Sequence, residues 1–193
     1  MNTPSTSAWT RQELAARASR ALDLPARAVG RPPLDKYLLQ GDPALLGRIA
    51  AAVADQLPSE AQILAGIELG GVPLATALSL HTGLPWSLIR RADKADPKRS
   101  RLSGLSVDGR VAVIVKDMAQ SGAAITDTAH VLRNAGATVA HVAVAINWNP
   151  ELSGILEPVG ITPIAALDLA DFRALFGSRA DQAAGPDQPS ASH

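Results

Sequence analysis

Short apolar segments that alternate with helical ones constrain the fold of this chain more than any other feature. Val111–Val115 is the clearest of them, because all five residues are apolar and four are β-branched, a composition that favours a strand buried on both faces. Similar runs occur at Ile63–Ile67, Pro85–Ile89, Val139–Ile146 and Ile161–Leu167. Strands that alternate with helices of about 10–15 residues indicate a parallel sheet. We therefore predict an α/β fold in which helices flank a central, mainly parallel sheet.

The segments between these runs carry helix signals. Arg11–Leu22 is predicted to be a helix because its leucines and alanines recur on one face. Asp42 is predicted to cap a helix over 43–57 that has proline at its first position. Two further helices are predicted over about 72–83 and 124–134.

The length of 193 residues suits one domain. We expect a flexible N-terminus over 1–10, a single domain over 11–177 and a disordered tail over 178–193, where the residues are small, polar and interrupted by proline. Hydrophobic residues make up 47% of the chain and charged residues 19%, which is a globular composition.

Charge and cysteine content exclude several classes of function. Lys plus Arg and Asp plus Glu number 18 each, so no net charge attracts nucleic acid or an anionic membrane. The chain has no cysteine, which excludes thiolate chemistry, cysteine-bound metals and disulfides. No apolar run is long enough for a membrane helix, and the Ser/Thr-rich start is unlike a secretory signal. We therefore expect a cytoplasmic protein with no nucleic-acid or membrane partner.

Two predicted loops are candidates for ligand binding, because ligands bind at the carboxyl ends of the strands in such a sheet. Glu68-Leu69-Gly70-Gly71 follows the first strand, and its glycines allow the backbone to approach a phosphate or pyrophosphate. On these four residues alone, an ordinary strand-to-helix turn is the favoured interpretation. Lys116–Ala123 follows the central strand and is predicted to be a polar turn. There Asp117 can reach a ribose hydroxyl or a metal, and 120–123 can enclose a phosphate. The alternative is a helix N-terminal turn with a solvated Lys-Asp pair.

A third candidate is the basic segment Arg90–Arg101, which holds six cations within twelve residues. Such a segment can close over a polyanionic ligand and exclude water. A solvated surface loop is the more usual explanation for such a run of charges.

The order of these three elements resembles that of type I phosphoribosyltransferases, and most closely orotate phosphoribosyltransferases, over roughly residues 34–167. The matching segments are Leu34-Asp35-Lys36-Tyr37 for the family's F-D-K-Y segment, 67–75 for its pyrophosphate loop, 89–94 for the opening of its catalytic flexible loop and 113–125 for its phosphoribosyl pyrophosphate signature. The resemblance implies a Rossmann-like fold with a small N-terminal hood. It also implies a homodimer that shares its sites.

The resemblance implies transfer of ribose 5-phosphate from phosphoribosyl pyrophosphate (PRPP) to a base nitrogen, with Mg²⁺ as cofactor. The candidate catalytic residues are Lys94, Lys116 and Asp117. The candidate contacts to phosphates and substrate are Lys36, Glu68, Gly70, Gly71, Arg90, Arg91, Lys98, Gln120, Ser121, Gly122, Ala123 and Trp148. Lys94 would stabilise the departing pyrophosphate and Asp117 would hold the ribose hydroxyls. We assign no protein ligand to the metal.

The sequence departs from the family pattern at several of these positions. Lys116 stands where the signature has an acid, which should weaken binding of Mg²⁺-pyrophosphate. Gln120 replaces a threonine that contacts the base, and Ala123 replaces a hydroxyl residue. The flexible loop has Asp96-Pro97 in place of His-Gly. Trp148 occupies the position of an arginine that pairs with the orotate carboxylate; an indole cannot form that ion pair, but it can stack on a base or pack in the interior.

Three functions follow as alternatives. The first is a phosphoribosyltransferase that acts on a nucleobase or related heterocycle, with orotate itself a doubtful acceptor. The second is a catalytically silent protein that binds a nucleotide or phosphate as a sensor or partner subunit. The third is an enzyme that uses the phosphosugar pocket for another reaction, with Lys116 as an acid, a base or an anion clamp.

Overall fold

The structure is a computed structural model that describes residues 9–22, 36–92 and 100–175, with Lys36 described by its backbone alone. The helices and strands are α1 Arg11–Ala21, α2 Lys36–Gly41, α3 Pro43–Ala54, β1 Ile63–Ile67, α4 Gly71–Thr82, β2 Trp86–Ile89, β3 Leu102–Gly104, β4 Val111–Ala119, α5 Ala123–Asn134, β5 Thr138–Asn147, α6 Leu152–Leu156, a 3-10 turn Glu157–Val159 and β6 Thr162–Asp168. A last helix, α7, is described over 169–175. Of the predicted flexible N-terminus over 1–10, only Trp9 and Thr10 are described, and the predicted tail lies outside the described residues, so the domain limits stay predictions.

The six strands form one sheet in the order β3-β2-β1-β4-β5-β6. Every neighbouring pair is parallel except β2 and β3, which are antiparallel. The prediction of an α/β fold with a central, mainly parallel sheet is confirmed.

Helices cover both faces of this sheet. On one face α1, α3 and α4 pack against β-strand residues such as Val113, Val115 and Ala143. On the other face α5 and α6 pack against residues such as Ile114 and Val142. The central strand is therefore buried from both sides, as its continuous apolar run predicts.

Helix starts follow the capping signals in the sequence. Asp42 caps α3 by accepting hydrogen bonds from the amides of Ala44 and Leu45, with proline in the first turn. Thr10 and Glu13 form a capping box at the start of α1. Arg11 then ties α1 to the end of β6, since its guanidinium lies 2.7 Å from Asp168.

Three elements differ from the predictions. β4 continues through Lys116–Ala119, so the predicted turn over Lys116–Ala123 is wrong for its first four residues. The physical reason is that β5 runs beside β4 as far as the pair Ala119 and Asn147. It provides backbone hydrogen-bond partners for this part of β4. The antiparallel strand β3 and the short helices α2 and α6 were not predicted.

Candidate active site

The crevice at the carboxyl ends of β1 and β4 is the site that this topology favours. The chain leaves β1 through α4 towards β2 and leaves β4 through α5 towards β5, in opposite directions along the sheet. In open α/β sheets, ligands bind where neighbouring strands diverge in this way. The two predicted phosphate loops, at 68–71 and 120–123, are the loops that flank this crevice.

The loop between β1 and α4 packs tightly against β4. A Cβ atom on Gly71 would lie 2.5 Å from the carbonyl oxygen of Val115 and 3.3 Å from Cα of Lys116, so a side chain at this position would force the loop away from β4. Gln40 of α2 holds the same loop by donating a hydrogen bond of 2.6 Å to the carbonyl of Gly70. The Glu68–Leu69 peptide bond is cis. Since the N-cap of α4 is Gly70, no N-cap side chain satisfies the first amides of the helix.

Glu68 joins this loop to the start of the basic segment. Its amide donates to the carbonyl of Ile89 at 2.9 Å, and its carboxylate accepts a hydrogen bond of 2.8 Å from the amide of Arg91. Glu68 therefore fixes the end of β2 relative to β1, whereas the side chain of Arg91 is exposed.

The loop between β4 and α5 lines a cavity of about 170 Å³. Its walls include Lys116, Gln120, Ser121, Gly122 and Ala124. Gly122 has φ of 74°, and a Cβ atom there would lie 2.9 Å from Ile155 of α6. Because the N-cap of α5 is this glycine, the first amides of α5 are open to an anion, which the helix dipole favours.

Lys116 lines this cavity, and Asp117 lies beside it. Nζ of Lys116 lies 3.3 Å from Oδ1 of Asp117, and the side chains are only 16% and 4% exposed. The same oxygen accepts a hydrogen bond of 2.8 Å from the amide of Met118. The pair is therefore largely buried, and the alternative of a solvated Lys-Asp pair is wrong.

The turn after β5 holds the loop between β4 and α5 in place. The amide of Trp148 donates to the carbonyl of Ala119 at 2.9 Å, and Asn149 Nδ2 donates to the carbonyl of Gln120 at 2.6 Å. The ring of Trp148 packs in the core, with its centroid 5.0 Å from that of Phe172. It is 7% exposed. Of the two roles considered for Trp148, this geometry favours interior packing.

The ends of the basic segment are tied to the fold. Arg90 donates a hydrogen bond to the hydroxyl of Ser103 and, through its amide, to the carbonyl of Arg101 at 2.7 Å. Arg101 forms a bidentate ion pair with Asp127 of α5. These bonds raise the pKa of Arg101 and hold the pKa of Asp127 below its ordinary value. Arg90 and Arg101 therefore have partners within the chain.

A family model for the phosphoribosyl transferase domain matches residues 41–154. The chain belongs to the phosphoribosyltransferase family. The match covers both phosphate loops, the basic segment and the turn after β5, and it confirms the resemblance seen in the sequence.

Relatives and solved structures agree with this assignment. The orotate phosphoribosyltransferase of Halobacterium salinarum is 36% identical over 139 residues, which cover 72% of this chain and 79% of that protein. A crystal structure of orotate phosphoribosyltransferase from Aeropyrum pernix superposes with a TM-score of 0.74 at 23% identity, covering 86% of this chain and 98% of that one. The Mycobacterium tuberculosis enzyme in complex with PRPP gives a TM-score of 0.69 at 21% identity, covering 84% and 90%. The predicted type I phosphoribosyltransferase fold is confirmed.

Asp117 is poorly suited to hold the family's divalent cation. Its Oδ1 already has the ammonium of Lys116 beside it, and a cation at that oxygen would meet like charge. Mg²⁺ remains an expectation from the family.

The crevice brings most of the predicted site residues to one edge of the sheet. Those at or beside the two loops are Glu68, Gly70, Gly71, Arg90, Arg91, Lys116, Asp117, Gln120, Ser121, Gly122 and Ala123. Lys94, Lys98 and the Asp96-Pro97 pair lie outside the described residues, as does the side chain of Lys36. Their roles stay predictions.

Sequence reasoning missed three supporting residues, namely Gln40, Asp127 and Asn149. Each acts through a contact between segments distant in sequence, with partners 30, 26 and 29 residues away. Single-sequence patterns carry no signal for such pairs. No helix within the described part of the chain is long and apolar enough to cross a membrane.

Proposed function

We propose that this protein transfers ribose 5-phosphate from PRPP to orotate, releasing pyrophosphate. Support comes from membership of the phosphoribosyltransferase family and from relatives such as the Halobacterium salinarum protein that are named orotate phosphoribosyltransferase. The expectation from the sequence that orotate is a doubtful acceptor is not confirmed by these relatives, and orotate is therefore the first acceptor to test.

The observation that carries the proposal is the loop between β4 and α5. The cavity of about 170 Å³, the Ser121 hydroxyl and the N-terminus of α5 lie together there, in the crevice at the carboxyl ends of β1 and β4. A phosphate group needs several hydrogen-bond donors and a positive potential, and a helix N-terminus supplies both. We assign this loop to the 5-phosphate of the ribose.

The neighbouring groups suit the rest of PRPP. Asp117 lies at the end of β4, where its carboxylate can accept hydrogen bonds from ribose hydroxyls. The pyrophosphate then lies towards the first amides of α4, beside Gly70 and Gly71. The exposed Arg91 supplies further positive charge on that side, and Lys94 stays a predicted phosphate contact.

In this arrangement the protein acts mainly by positioning and electrostatics. The bond from C1 of the ribose to the pyrophosphate oxygen breaks as the bond from the base nitrogen to C1 forms, and the proton of that nitrogen is lost to solvent. Negative charge grows on the leaving pyrophosphate, and the positive end of α4 stabilises it. Asp117 holds the ribose so that C1 faces the base.

A steady-state assay tests the proposal. We expect purified protein with PRPP and orotate to release pyrophosphate and form orotidine 5′-monophosphate. The Asp117→Asn variant should lower kcat/KM by about 10²-fold or more, because a carboxylate acceptor is lost at the ribose. The Glu60→Gln variant, at an exposed position before β1, serves as the control. Pyrophosphate release with uracil, adenine or hypoxanthine but not with orotate would show that orotate is not the acceptor. Transfer of ribose 5-phosphate from PRPP would still stand.

A silent nucleotide-binding protein is a second candidate, favoured by the contact between Lys116 and Asp117. If that ion pair keeps Asp117 from the ribose, PRPP binds and is not turned over. Calorimetry that detects PRPP binding, together with no pyrophosphate release in the presence of any base, would identify this function.

The homodimer and the cytoplasmic location expected from the sequence also remain proposals. Light scattering on the purified protein tests the first, with a mass of twice 20.0 kDa as the expected result. A mass of one chain would contradict it.

A further inference from the structure

Lys116 is a cation built into the floor of the crevice. It lines the cavity at the β4–α5 loop, and its side chain is only 16% exposed. Its Nζ lies 3.3 Å from Oδ1 of Asp117. An ammonium held in this way is a fixed feature of the pocket, unlike a surface lysine that samples many rotamers.

The backbone adds positive potential around Lys116. The start of α4 packs against the backbone of this residue, since a Cβ on Gly71 would be 3.3 Å from Cα of Lys116. The start of α5 borders the same cavity. Both helices direct the positive ends of their dipoles towards the crevice. An ammonium has three N–H donors. Asp117 accepts one of them, and an anion in the cavity can accept another.

The same arrangement disfavours a divalent cation at this carboxylate. Oδ1 of Asp117 already has the ammonium of Lys116 at 3.3 Å and the amide of Met118 at 2.8 Å. A hard cation such as Mg²⁺ seeks oxygen ligands and keeps several waters, and here it would have to displace or approach an ammonium. Mg²⁺ and the ammonium of Lys116 would therefore compete for Oδ1 of Asp117.

We propose that the ammonium of Lys116 supplies the charge that a divalent cation would otherwise bring to PRPP, so that this protein binds PRPP largely independently of Mg²⁺. The inference rests on the proposed function, because it assumes that PRPP is the ligand of the crevice. It adds Lys116 as a residue that positions the phosphosugar and sets the cation requirement.

Calorimetric titration of PRPP into the purified full chain tests this directly, once in millimolar Mg²⁺ and once in excess EDTA. For the unaltered protein, the two dissociation constants should agree within about threefold. In Lys116→Glu, binding in EDTA should weaken by at least about 30-fold, and Mg²⁺ should restore a large part of it. Lys116→Arg keeps the charge and should retain binding in EDTA.

Matched controls separate the local charge from a general effect. Arg110→Met removes a cation at the opposite, amino end of β4 and should leave both dissociation constants unchanged. Lys116→Met removes the charge without adding a carboxylate, and it tests the proposal if the glutamate variant fails to fold. Thermal unfolding of each variant shows whether its fold is intact.

The outcomes distinguish the two proposals. Binding of PRPP by the unaltered protein that is more than about tenfold tighter with Mg²⁺ overturns the role of Lys116 and leaves the proposed function standing. Equal binding in EDTA by the unaltered protein and by a folded Lys116→Met also overturns it. No binding of PRPP in either condition refutes the proposed function itself, and this inference with it.

Discussion

Arg101 and Asp127 form an ion pair with two hydrogen bonds, of 2.9 and 2.6 Å, that joins the end of the basic segment to α5. Arg101 also donates through Nε to the carbonyl of Arg90 at 3.0 Å. One guanidinium thus holds both ends of the basic segment and fastens them to the helix whose N-terminus borders the phosphate cavity. This contact fixes Arg90 and Arg101 beside α5.

The Asp127→Asn variant should weaken PRPP binding more than it weakens the fold. Without the carboxylate, Arg101 loses its bidentate partner, and the ends of the basic segment at Arg90 and Arg101 are no longer tied to α5. We expect KM for PRPP to rise about three- to tenfold, with kcat changed less. Steady-state kinetics on Asp127→Asn and on the control Glu60→Gln measure this. An unchanged KM in Asp127→Asn would show that the ion pair does not position the segment.

The same ion pair predicts a pH dependence of stability. Arg101 lowers the pKa of Asp127, so the pair stabilises the fold above the ordinary carboxyl pKa. This contribution is lost as pH falls through the lowered value. Because the Asp127 side chain is 55% exposed, the gain at neutral pH should be below about 1 kcal/mol. Urea unfolding of the unaltered protein and Asp127→Asn should show a gap at neutral pH that closes in acid; a gap that widens in acid contradicts this.

Gly71→Ala should destabilise the protein and impair PRPP binding together. The added Cβ would lie 2.5 Å from the backbone of Val115, and backbone cannot yield as a side chain does. We expect a loss of about 1–3 kcal/mol in the free energy of unfolding. Gly47→Ala, in α3 with open space around it, is the matched control and should be neutral or stabilise by up to about 1 kcal/mol. Similar stability changes in the two variants would refute the close packing of α4 on β4.

Trp148→Phe distinguishes interior packing from stacking on the base. Since the ring packs against Phe172, we expect the free energy of unfolding to fall by about 1–3 kcal/mol and KM for orotate to stay within about twofold. Phe172→Leu should behave in the same way. The reverse pattern, with stability kept and KM raised, would assign Trp148 to the base pocket.

Much of the fold follows from local patterns in the sequence. The run Ile63–Ile67 becomes β1 with unchanged limits, and Asp42 caps α3 as its position before proline indicates. Both depend on interactions within a few residues. The strand β3 could not be predicted in this way, because Leu102–Gly104 has a short, mixed sequence and becomes a strand through its pairing with β2.

The sequence could predict which residues lie at the site, but it could not predict their contacts. Gly70, Gly71 and Asp117 stand at the carboxyl ends of apolar runs, so topology alone brings them to one edge. The extension of β4 through Lys116 and Asp117 depends on β5 as a partner. Because of this extension, Lys116 and Asp117 form a largely buried pair and not a solvated one. The hold of Asn149 on Gln120 likewise exists only in the folded chain.

A crystal structure of the protein with PRPP tests the central claim most directly. We predict that the 5-phosphate lies at the N-terminus of α5, within hydrogen-bond distance of backbone amides in 121–124, and that the pyrophosphate faces the N-terminus of α4. PRPP bound instead in the larger cavity of about 340 Å³ beside Trp9 and Arg48 would contradict the assignment of the crevice as the phosphoribosyl site.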